Sequence, residues 1–321
     1  MRVFVAGATG VLGRALLPAL IAKGHTVFGL ARTPEKMSIV TQLGGKPLHG
    51  DVLDAERLRL IITKIQPEAI VNLATKIPLK LRLNKDHWQE NDEVRLQGTS
   101  NLLKAAGFAL GLKLFVQESM DQVCETQGDR WIDENAPRSR HPFLHATLQM
   151  EDMIRTAKLP ATLLRFSVLN APDSWHTQQS VTAIKRGLLP IIGDGSAFVG
   201  MIHVADAIQA IVCALQQPGV SAGQTFNVVD DAPSRMRDIL PYAAQLLKAP
   251  PPRTVPSLMA KLIVGALTID VLTQSHRTSN ARIKHCLGFA PRFPTYRETW
   301  ADIVQTIGSH NFASSEDLRK N

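Results

Sequence analysis

Three glycines near the N-terminus could hold a dinucleotide by its phosphates. Gly7, Gly10 and Gly13 follow the apolar run at 3–5, and apolar side chains at helical spacing come after them. In a strand–turn–helix unit of this kind, one glycine permits the tight turn, another lets the backbone approach a pyrophosphate, and the third brings helix and strand together. The first N–H groups of the helix then face the phosphates. The spacing therefore predicts a dinucleotide-binding site.

The end of the second predicted strand indicates which dinucleotide is bound. A fold that prefers NAD usually has an acid there, which holds the ribose 2′-hydroxyl. This chain instead has Arg32 directly after the strand at 26–31. A guanidinium suits a 2′-phosphate, although a surface arginine without that role is the alternative. We therefore expect NADP(H) to be the preferred cofactor and NAD(H) to be a possible one.

Buried strands that alternate with helices must position this site. Apolar runs that fit strands buried on both faces occur at 3–5, 26–31, 69–74, 113–117 and 161–166. Helical patterns lie between these runs, which is typical of crossover connections in a parallel sheet. The alternation predicts an α/β fold with a doubly wound parallel (Rossmann) sheet.

The composition of the chain changes after the predicted strand at 161–166, with more proline and glycine and shorter elements. We expect a dinucleotide-binding Rossmann domain over 1–170, to which 203–230 return. A smaller C-terminal α/β part over 171–309 is expected to bind the substrate. The polar residues 310–321 show no periodicity, which predicts a frayed tail.

Ligands of such sheets bind outside the carboxyl ends of the strands. The predicted cofactor contacts therefore lie in the glycine turn and at the ends of the following strands, where Asp51 could reach the adenine edge. They are Gly7, Thr9, Gly10, Val11, Leu12, Gly13, Arg32, Asp51, Val52, Leu73, Ala74 and Thr75. Lys76 and the turn at 118–121 fall at the same edge, so they are expected near the cofactor as well.

Composition limits the compartment and the partners. The chain is 45% hydrophobic and 20% charged, it begins with a strand rather than a signal peptide, and its three cysteines are widely separated. Such cysteine usage argues against a disulfide framework or a metal site and for a reducing compartment. The net charge of +8 is scattered along the chain, unlike a nucleic-acid footprint. We expect a cytoplasmic protein with a small-molecule substrate, no nucleic-acid or membrane partner, and a possible homodimer.

Short motifs occur in one order along nearly the whole chain. They are Gly-Ala-Thr-Gly-Val-Leu-Gly at 7–13, Gly-Asp-Val-Leu-Asp at 50–54, Asn-Leu-Ala at 72–74, Gly-Thr-x-Asn-Leu-Leu at 98–103, Gly-Asp-Gly at 193–195 and Ile-His-Val-x-Asp at 202–206. Through them the chain resembles the extended, atypical short-chain dehydrogenase/reductase family, in its NAD-dependent epimerase/dehydratase-like branch. The resemblance implies a Rossmann fold and an NAD(P) cofactor.

The resemblance also implies where catalytic residues should lie, and this chain departs from the pattern. Family members use a Tyr-x-x-x-Lys pair and a hydroxyl residue to exchange a proton while nicotinamide exchanges hydride. Those positions fall on Phe143, Thr147 and Met120. A shift of one residue would make Ser119 the hydroxyl group. No shift restores the tyrosine, because both tyrosines of the chain lie in its C-terminal part.

Several ionisable residues near the strand ends are candidates for replacement chemistry. Asp121 matches an aspartate of dehydratase-like relatives and could act as general acid or base, although a turn-capping carboxylate is the alternative. Lys76 could place positive charge near a substrate oxygen, or be solvated. Glu118 and His145 are further candidates, and Ser119 is a third catalytic candidate beside Asp121 and Lys76. No Cys/His spacing indicates a metal.

Two classes of function remain open. One is an atypical oxidoreductase, epimerase or lyase that works without the Tyr/Lys pair. Relatives that bind nucleoside diphosphates often have an arginine shortly before the Ile-His-Val stretch, and 198–201 contain none. A small substrate without strong negative charge is therefore expected. The other class is a non-catalytic NADP(H)-loaded binding, sensor or scaffold protein. We favour the enzyme.

Overall fold

Strands and helices alternate along the N-terminal part of the protein. The computed structural model describes residues 1–78, 85–266, 269–270 and 273–309, and the tail predicted at 310–321 lies outside the described residues. The strands are β1 (Arg2–Ala6), β2 (Thr26–Ala31), β3 (Lys46–His49), β4 (Ala69–Asn72), β5 (Leu114–Met120), β6 (Ala161–Phe166), β7 (Val168–Asn170), β8 (Ile191–Ile192), β9 (Phe198–Val199), β10 (Met201–His203), β11 (Thr225–Val228), β12 (Ser234–Arg235) and β13 (Thr254–Val255).

The helices between them vary in length. They are α1 (Val11–Ala22), α2 (Pro34–Gln42), α3 (Ala55–Ile65), α4 (Lys85–Glu93), α5 (Thr99–Ala106), α6 (His145–Thr156), α7 (Trp175–Lys185), α8 (Val204–Gln216), α9 (Pro218–Ser221), α10 (Met236–Leu246), α11 (Ser257–Val264), α12 (Ala281–Leu287) and α13 (Tyr296–Ser309). A single π-helical turn, Val94–Gly98, joins α4 to α5. None of the described helices has the length and apolar character needed to cross a bilayer.

The central sheet confirms the predicted Rossmann architecture. In the described part of the chain it has seven strands in the order β11-β6-β5-β4-β1-β2-β3, and every neighbouring pair is parallel. The strand order reverses between β1 and β4, so a crevice opens there at the carboxyl ends of the strands. Ligands of doubly wound folds bind at such a switch point.

The sequence of β1 shows why this strand lies at the centre. Val3 and Val5 point into one apolar cluster and Phe4 and Ala6 into another, and all four are 0% exposed. Successive side chains of a strand point to opposite faces. An uninterrupted apolar run is therefore what a strand covered by helices on both faces requires.

Residues 203–230 supply two elements beside the N-terminal sheet. β11 forms the edge of the sheet, with Phe226 opposite Leu164 of β6. The apolar face of α8 shares a buried cluster with α1, which includes Leu16, Leu20 and Ile211. The sequence predicts that 203–230 return to the Rossmann domain, and this division of the chain into domains stays a prediction.

Smaller pairs of strands and a separate core form the C-terminal part. β7 pairs with β10, β8 with β13, and β9 with β12. Helices α7, α10 and α13 pack around a third apolar cluster, which includes Val181, Leu240 and Trp300. Tyr242 and Tyr296 meet in this cluster with ring centroids 5.5 Å apart. Neither tyrosine is among the described residues that line the crevice.

Candidate active site

The turn after β1 is shaped so that only glycine fits at two positions. Gly7 has a φ of 76°, and a Cβ placed there would lie 2.6 Å from the carbonyl carbon of Leu73. A Cβ on Gly13 would lie 2.2 Å from the carbonyl oxygen of Gly7. Real Cβ atoms do not approach backbone so closely, and side chains rarely adopt a positive φ. The turn therefore brings β1, the end of β4 and the start of α1 into direct contact.

The N-terminus of α1 points into the crevice beside this turn. Gly10 is the N-cap residue, and the first turn of α1 holds no acid. The first N–H groups of a helix lack intrahelical partners and carry a partial positive charge, which favours a bound anion. The Arg14 guanidinium donates to the carbonyl of Thr9 at 3.0 Å and pairs with Asp173 at 2.7 Å. That ion pair links α1 to the loop before α7.

Positive charge collects at the far end of the crevice, after β2. Arg32 lies 3.5 Å from Asp51, and its side chain is half exposed. Burial, aided by the charge of Arg32, lowers the pKa of Lys36. A cavity of about 250 Å³ adjoins this end and is lined by Arg32, Asp51 and Arg57 among others. The lining also includes Asp54, so an anionic group placed here would meet two arginines and two carboxylates, with the Arg32 side chain half exposed beside it.

A single cleft of about 1130 Å³ connects the glycine turn to the C-terminal part. Its walls include all of the predicted cofactor contacts. These are Gly7, Thr9, Gly10, Val11, Leu12, Gly13, Arg32, Asp51, Val52, Leu73, Ala74 and Thr75. The structure thus brings them together, and their contact with a cofactor stays a prediction. A close-fitting glycine turn, a helix N-terminus free of acids and a cationic far end fit the two phosphates and the adenosine of NAD(P).

The other end of the cleft is lined largely by aromatic and apolar side chains. Phe143 stands edge-on against Trp88, with ring centroids 3.9 Å apart and planes at 77°. Trp175, Phe166 and Met120 also line this end. Such walls provide flat apolar surface for a planar ligand.

Several polar groups in this end of the cleft are already paired. Lys76 forms an ion pair with Glu90 at 2.7 Å, and both line the cleft. Burial lowers the pKa of His176, so its ring is neutral near pH 7. Gln122 and Gln274 contribute uncharged amides. Among the described residues, no group of three or more His, Cys, Asp or Glu side chains could hold a metal.

The sequence predicts Ser119 and Asp121 near the cofactor, and the structure places both behind the cleft wall rather than in its lining. Glu118 and Met120 of β5 line the cleft, whereas the alternate residues Ser119 and Asp121 do not. Ser119 is 0% exposed and donates to Glu151 at 2.8 Å, and Asp121 is 1% exposed. Because side chains alternate along a strand, one phase of β5 faces the cleft and the other faces the packed interior.

The remaining predicted positions divide in the same way. Phe143 and Met120 line the cleft, as does Lys76. Thr147 is only 3% exposed and lies behind the wall, while His145 is exposed at the start of α6. The cleft therefore holds an aromatic ring at the position that the resemblance assigns to the tyrosine.

Sequence reasoning missed a buried ion pair in the cleft wall. Arg95 in the π-helical turn is 1% exposed, and its Nη1 donates to Glu118 at 3.2 Å. Breaking such a pair leaves an uncompensated buried charge, so each member holds the other in place. Glu118 was a candidate on strand position alone, and nothing local in the sequence indicates that Arg95 is its partner. Ser167 and Gln274 also line the cleft, the latter from far along the chain.

A family model matches most of this architecture. The model of the NAD-dependent epimerase/dehydratase family matches residues 3–228, which include β1 through β11. The chain belongs to the NAD-dependent epimerase/dehydratase family. The match confirms the resemblance predicted from the short motifs and places this chain among NAD(P)-dependent proteins.

Relatives in and around the NAD-dependent epimerase/dehydratase family include named reductases. The chain is 31% identical over 311 residues to a 3-diazoavenalumate denitrifying reductase of Streptomyces, covering 93% of this chain and 98% of that protein. It is 26% identical over 249 residues to a 4-hydroxy-2-methyl-3-oxo-4-farnesyl-3,4-dihydroquinoline-1-oxide ketoreductase of Stigmatella aurantiaca, covering 75% of this chain and 71% of that protein.

Solved structures of the NAD-dependent epimerase/dehydratase type share the fold. A human epimerase family protein, solved with NADPH, superposes with a TM-score of 0.79 at 22% identity and covers 95% of this chain and 99% of that one. At that identity the likeness supports the fold alone. The site described above therefore has to be interpreted from the side chains of this protein.

Proposed function

We propose that this protein is an NAD(P)H-dependent reductase of a small planar aromatic or conjugated substrate. The observation that carries the proposal is the edge-on contact of Phe143 with Trp88 at 3.9 Å. Where the family resemblance expects a proton-donating tyrosine, this cleft has a hydrophobic ring braced by a second one. A rigid aromatic wall holds a flat ring well but exchanges no proton.

The charge distribution in the cleft favours a substrate without strong negative charge. Lys76 at the substrate end is paired with Glu90 at 2.7 Å, and Arg14, where this end meets the glycine turn, is paired with Asp173 at 2.7 Å. Glu118 adds a carboxylate that Arg95 holds in the wall. A phosphate or pyrophosphate in this end would have to displace an existing partner, whereas a neutral or cationic aromatic group would not.

The cofactor would be held by the glycine turn, the N-terminus of α1 and the residues after β2. When bound, NAD(P)H supplies a hydride with its two electrons; on a diazo substrate the hydride forms the new C–H bond at the carbon from which dinitrogen departs with the electron pair of the C–N bond. A diazo group is what the name of the Streptomyces relative specifies. Its reduction needs no tyrosine, which agrees with Phe143 at the tyrosine position.

We further propose that NADP(H) is preferred over NAD(H). Arg32 is half exposed at the end of β2, and its positive charge helps to lower the pKa of the nearby Lys36. Asp51 faces Arg32 at 3.5 Å, which is longer than a strong ion pair. The guanidinium therefore keeps donors for a 2′-phosphate.

The experiment is to follow NADPH absorbance with 4-hydroxybenzenediazonium as the probe, with a protein-free blank, and to identify phenol and dinitrogen as products. We expect turnover by the wild type. Phe143→Ala should raise KM by about tenfold, since losing a packed aromatic ring costs about 1.5 kcal/mol or more.

Phe108→Ala is the matched control, because Phe108 is partly exposed and lies outside the cleft. It should leave KM unchanged. Tight NADPH binding with no turnover of the probe would contradict the reductase and support the alternative, an NADP(H)-loaded binding or scaffold protein. If Phe143→Ala and Phe108→Ala have the same KM, the aromatic wall does not contribute to substrate binding.

A further inference from the structure

Ser167 connects the surface of the cleft to a carboxyl group buried behind it. The residue follows β6 and lines the cleft, and its Oγ forms a hydrogen bond with Oδ2 of Asp121. Asp121 itself does not line the cleft and is 1% exposed. The pairing follows from strand register, since Met120 lies opposite Phe166 and the next residues of the two strands are Asp121 and Ser167.

The buried carboxyl has one oxygen in hydrogen bonds and one without. Thr278 donates to Oδ2 of Asp121 at 2.8 Å, whereas Oδ1 has no hydrogen-bond partner among the described residues. A fully buried carboxylate with an unpartnered oxygen is costly. Protonation removes the charge and with it most of that cost.

The groups facing Asp121 set its protonation. Burial raises the pKa of Asp121 and outweighs His276, the hydrogen bonds from Ser167 and Thr278, and Arg165, all of which act to lower it. Burial and the neighbouring Asp231 raise the pKa of Asp230 to about 8. Burial likewise raises the pKa of the Cys124 thiol to about 11. We therefore expect Asp121 to keep a proton to a higher pH than an exposed carboxyl would.

The chain keeps space for the Ser167 side chain. A Cβ on Gly200 would lie 2.8 Å from Oγ of Ser167 and 2.5 Å from Cγ2 of Val229. Glycine at this position leaves room for the Ser167 hydroxyl beside Asp121. Ser167 is 5% exposed and lines the cleft.

We propose that Ser167 is the catalytic residue that donates a proton to a substrate oxygen, and that Asp121 resupplies the proton from behind. The inference rests on the proposed reductase function. It assigns a proton donor to a cleft in which Phe143 stands at the position that the resemblance gives to the proton-donating tyrosine. With Asp121 protonated, its O–H donates to Oγ of Ser167, and the serine O–H is free to donate into the cleft.

The proton and electron count closes with a phenolic diazo substrate. The neutral quinone diazide form of 4-hydroxybenzenediazonium gains two electrons and one hydrogen as the hydride of NAD(P)H. A proton passes from Ser167 to the ring oxygen, and the proton of Asp121 passes to Ser167. The products are phenol and dinitrogen, and Asp121 regains a proton from water after they leave. Hydrogen bonding to the ring oxygen makes the diazo-bearing carbon a better hydride acceptor, which is why the acid accelerates the step.

The kinetic test compares Ser167→Ala and Asp121→Asn with Ser221→Ala. Ser221 is the matched control because it is equally buried but donates to the carbonyl of Ala214 and does not line the cleft. With NADPH and 4-hydroxybenzenediazonium, kcat should fall about 100-fold in each of the first two variants, the scale of general acid catalysis. KM and NADPH affinity should change little, and Ser221→Ala should keep the wild-type kcat.

The pH profile separates proton donation from a structural role. Because the relay needs protonated Asp121, wild-type kcat should fall as the pH rises through the pKa of that group. Ser167→Ala should lose this alkaline fall, because its residual turnover takes protons from water. An unchanged profile in Ser167→Ala, or an undiminished kcat, would overturn the relay and leave another donor, such as His141, which also lines the cleft.

An infrared measurement needs no turnover. The wild type at neutral pH should show a carbonyl stretch of a protonated carboxylic acid that Asp121→Asn removes and Ser167→Ala shifts. If Asp121→Asn removes no such band, Asp121 is ionised and the relay fails even where turnover is present. If the wild type does not reduce the probe, the reductase proposal fails. The infrared band and its shift in Ser167→Ala then test separately whether Asp121 is protonated and hydrogen-bonded to Ser167, as the relay requires.

Discussion

The cofactor end of the cleft is built mainly from backbone, whereas the substrate end is built from side chains. At the cofactor end, Gly7 and Gly13 contact backbone atoms directly, and the helix N-terminus supplies backbone N–H donors that do not depend on side-chain type, proline excepted. At the substrate end, the walls are Phe143, Trp88 and other rings whose identity sets the shape.

This difference accounts for what the protein shares with its family and where it departs. A backbone cradle depends on a few residues that cannot be anything else, so it persists in recognisable form. A side-chain wall can change residue by residue while the fold stays intact, and function changes with it. Phe143 and Thr147 stand at the positions expected for the tyrosine and lysine, and the sheet beneath them is that of the family.

The largest effect should come from filling the backbone contact at the cofactor end. In Gly13→Ala, the new Cβ would meet the Gly7 carbonyl oxygen at 2.2 Å, so α1 must move away from β1. We expect NADPH affinity to fall by about 100-fold, which equals about 3 kcal/mol, the upper range of overpacking costs. Isothermal titration measures the loss. Gly111→Ala is the control, because nothing lies within 4 Å of its Cβ position, and wild-type affinity in Gly13→Ala would contradict the cradle.

A smaller loss of NADPH affinity should follow from replacing Arg32, the side chain on which the proposed preference for NADP(H) depends. Arg32→Ala should weaken NADPH binding by about 1.5–3 kcal/mol, the scale of charge-assisted hydrogen bonds, and leave NADH binding nearly unchanged. Titration of both cofactors measures the difference. Arg59→Ala is the control, since Arg59 is an exposed arginine paired with Glu56 outside the cleft. Equal affinity of the wild type for NADPH and NADH would refute the assigned preference.

The cofactor end could be predicted from sequence because its signals are local. Three glycines at fixed spacing follow an apolar run, and the ends of parallel strands necessarily meet at one edge of the sheet. From these facts alone the residues around Gly10, Asp51 and Ala74 could be placed in one cleft. The structure lines the cleft with them.

The substrate end could not be predicted to the same depth, for two physical reasons. Side chains alternate along β5, so that Glu118 and Met120 face the cleft while Asp121 lies behind Ser167. The sequence of a short strand end does not show which of the alternate side chains face the cleft. Gln274 reaches the wall from the C-terminal part, and its approach depends on long-range packing. The partnership of Arg95 with Glu118 is of the same kind.

The smallest predicted effect tests where the two ends meet. Asp173, from the C-terminal part, pairs with Arg14 of α1 at 2.7 Å, and the two side chains are 44% and 26% exposed. Asp173→Asn removes a negative charge beside the expected phosphates and frees Arg14 to contact them. Water screens so exposed a pair, so the gain should be at most about 1 kcal/mol, or about fivefold tighter NADPH binding. The gain should shrink as salt is added.

The control for this variant is Asp152→Asn, which breaks the similarly exposed ion pair with Arg138 outside the cleft. It should leave NADPH affinity unchanged at every salt concentration. Weaker rather than tighter binding in Asp173→Asn would reverse the sign of the expected effect. The ion pair would then act chiefly by holding the loop that carries Asp173 over the cofactor. In that case the C-terminal part would contribute a side-chain contact to the cofactor end of the cleft, which otherwise depends on backbone groups.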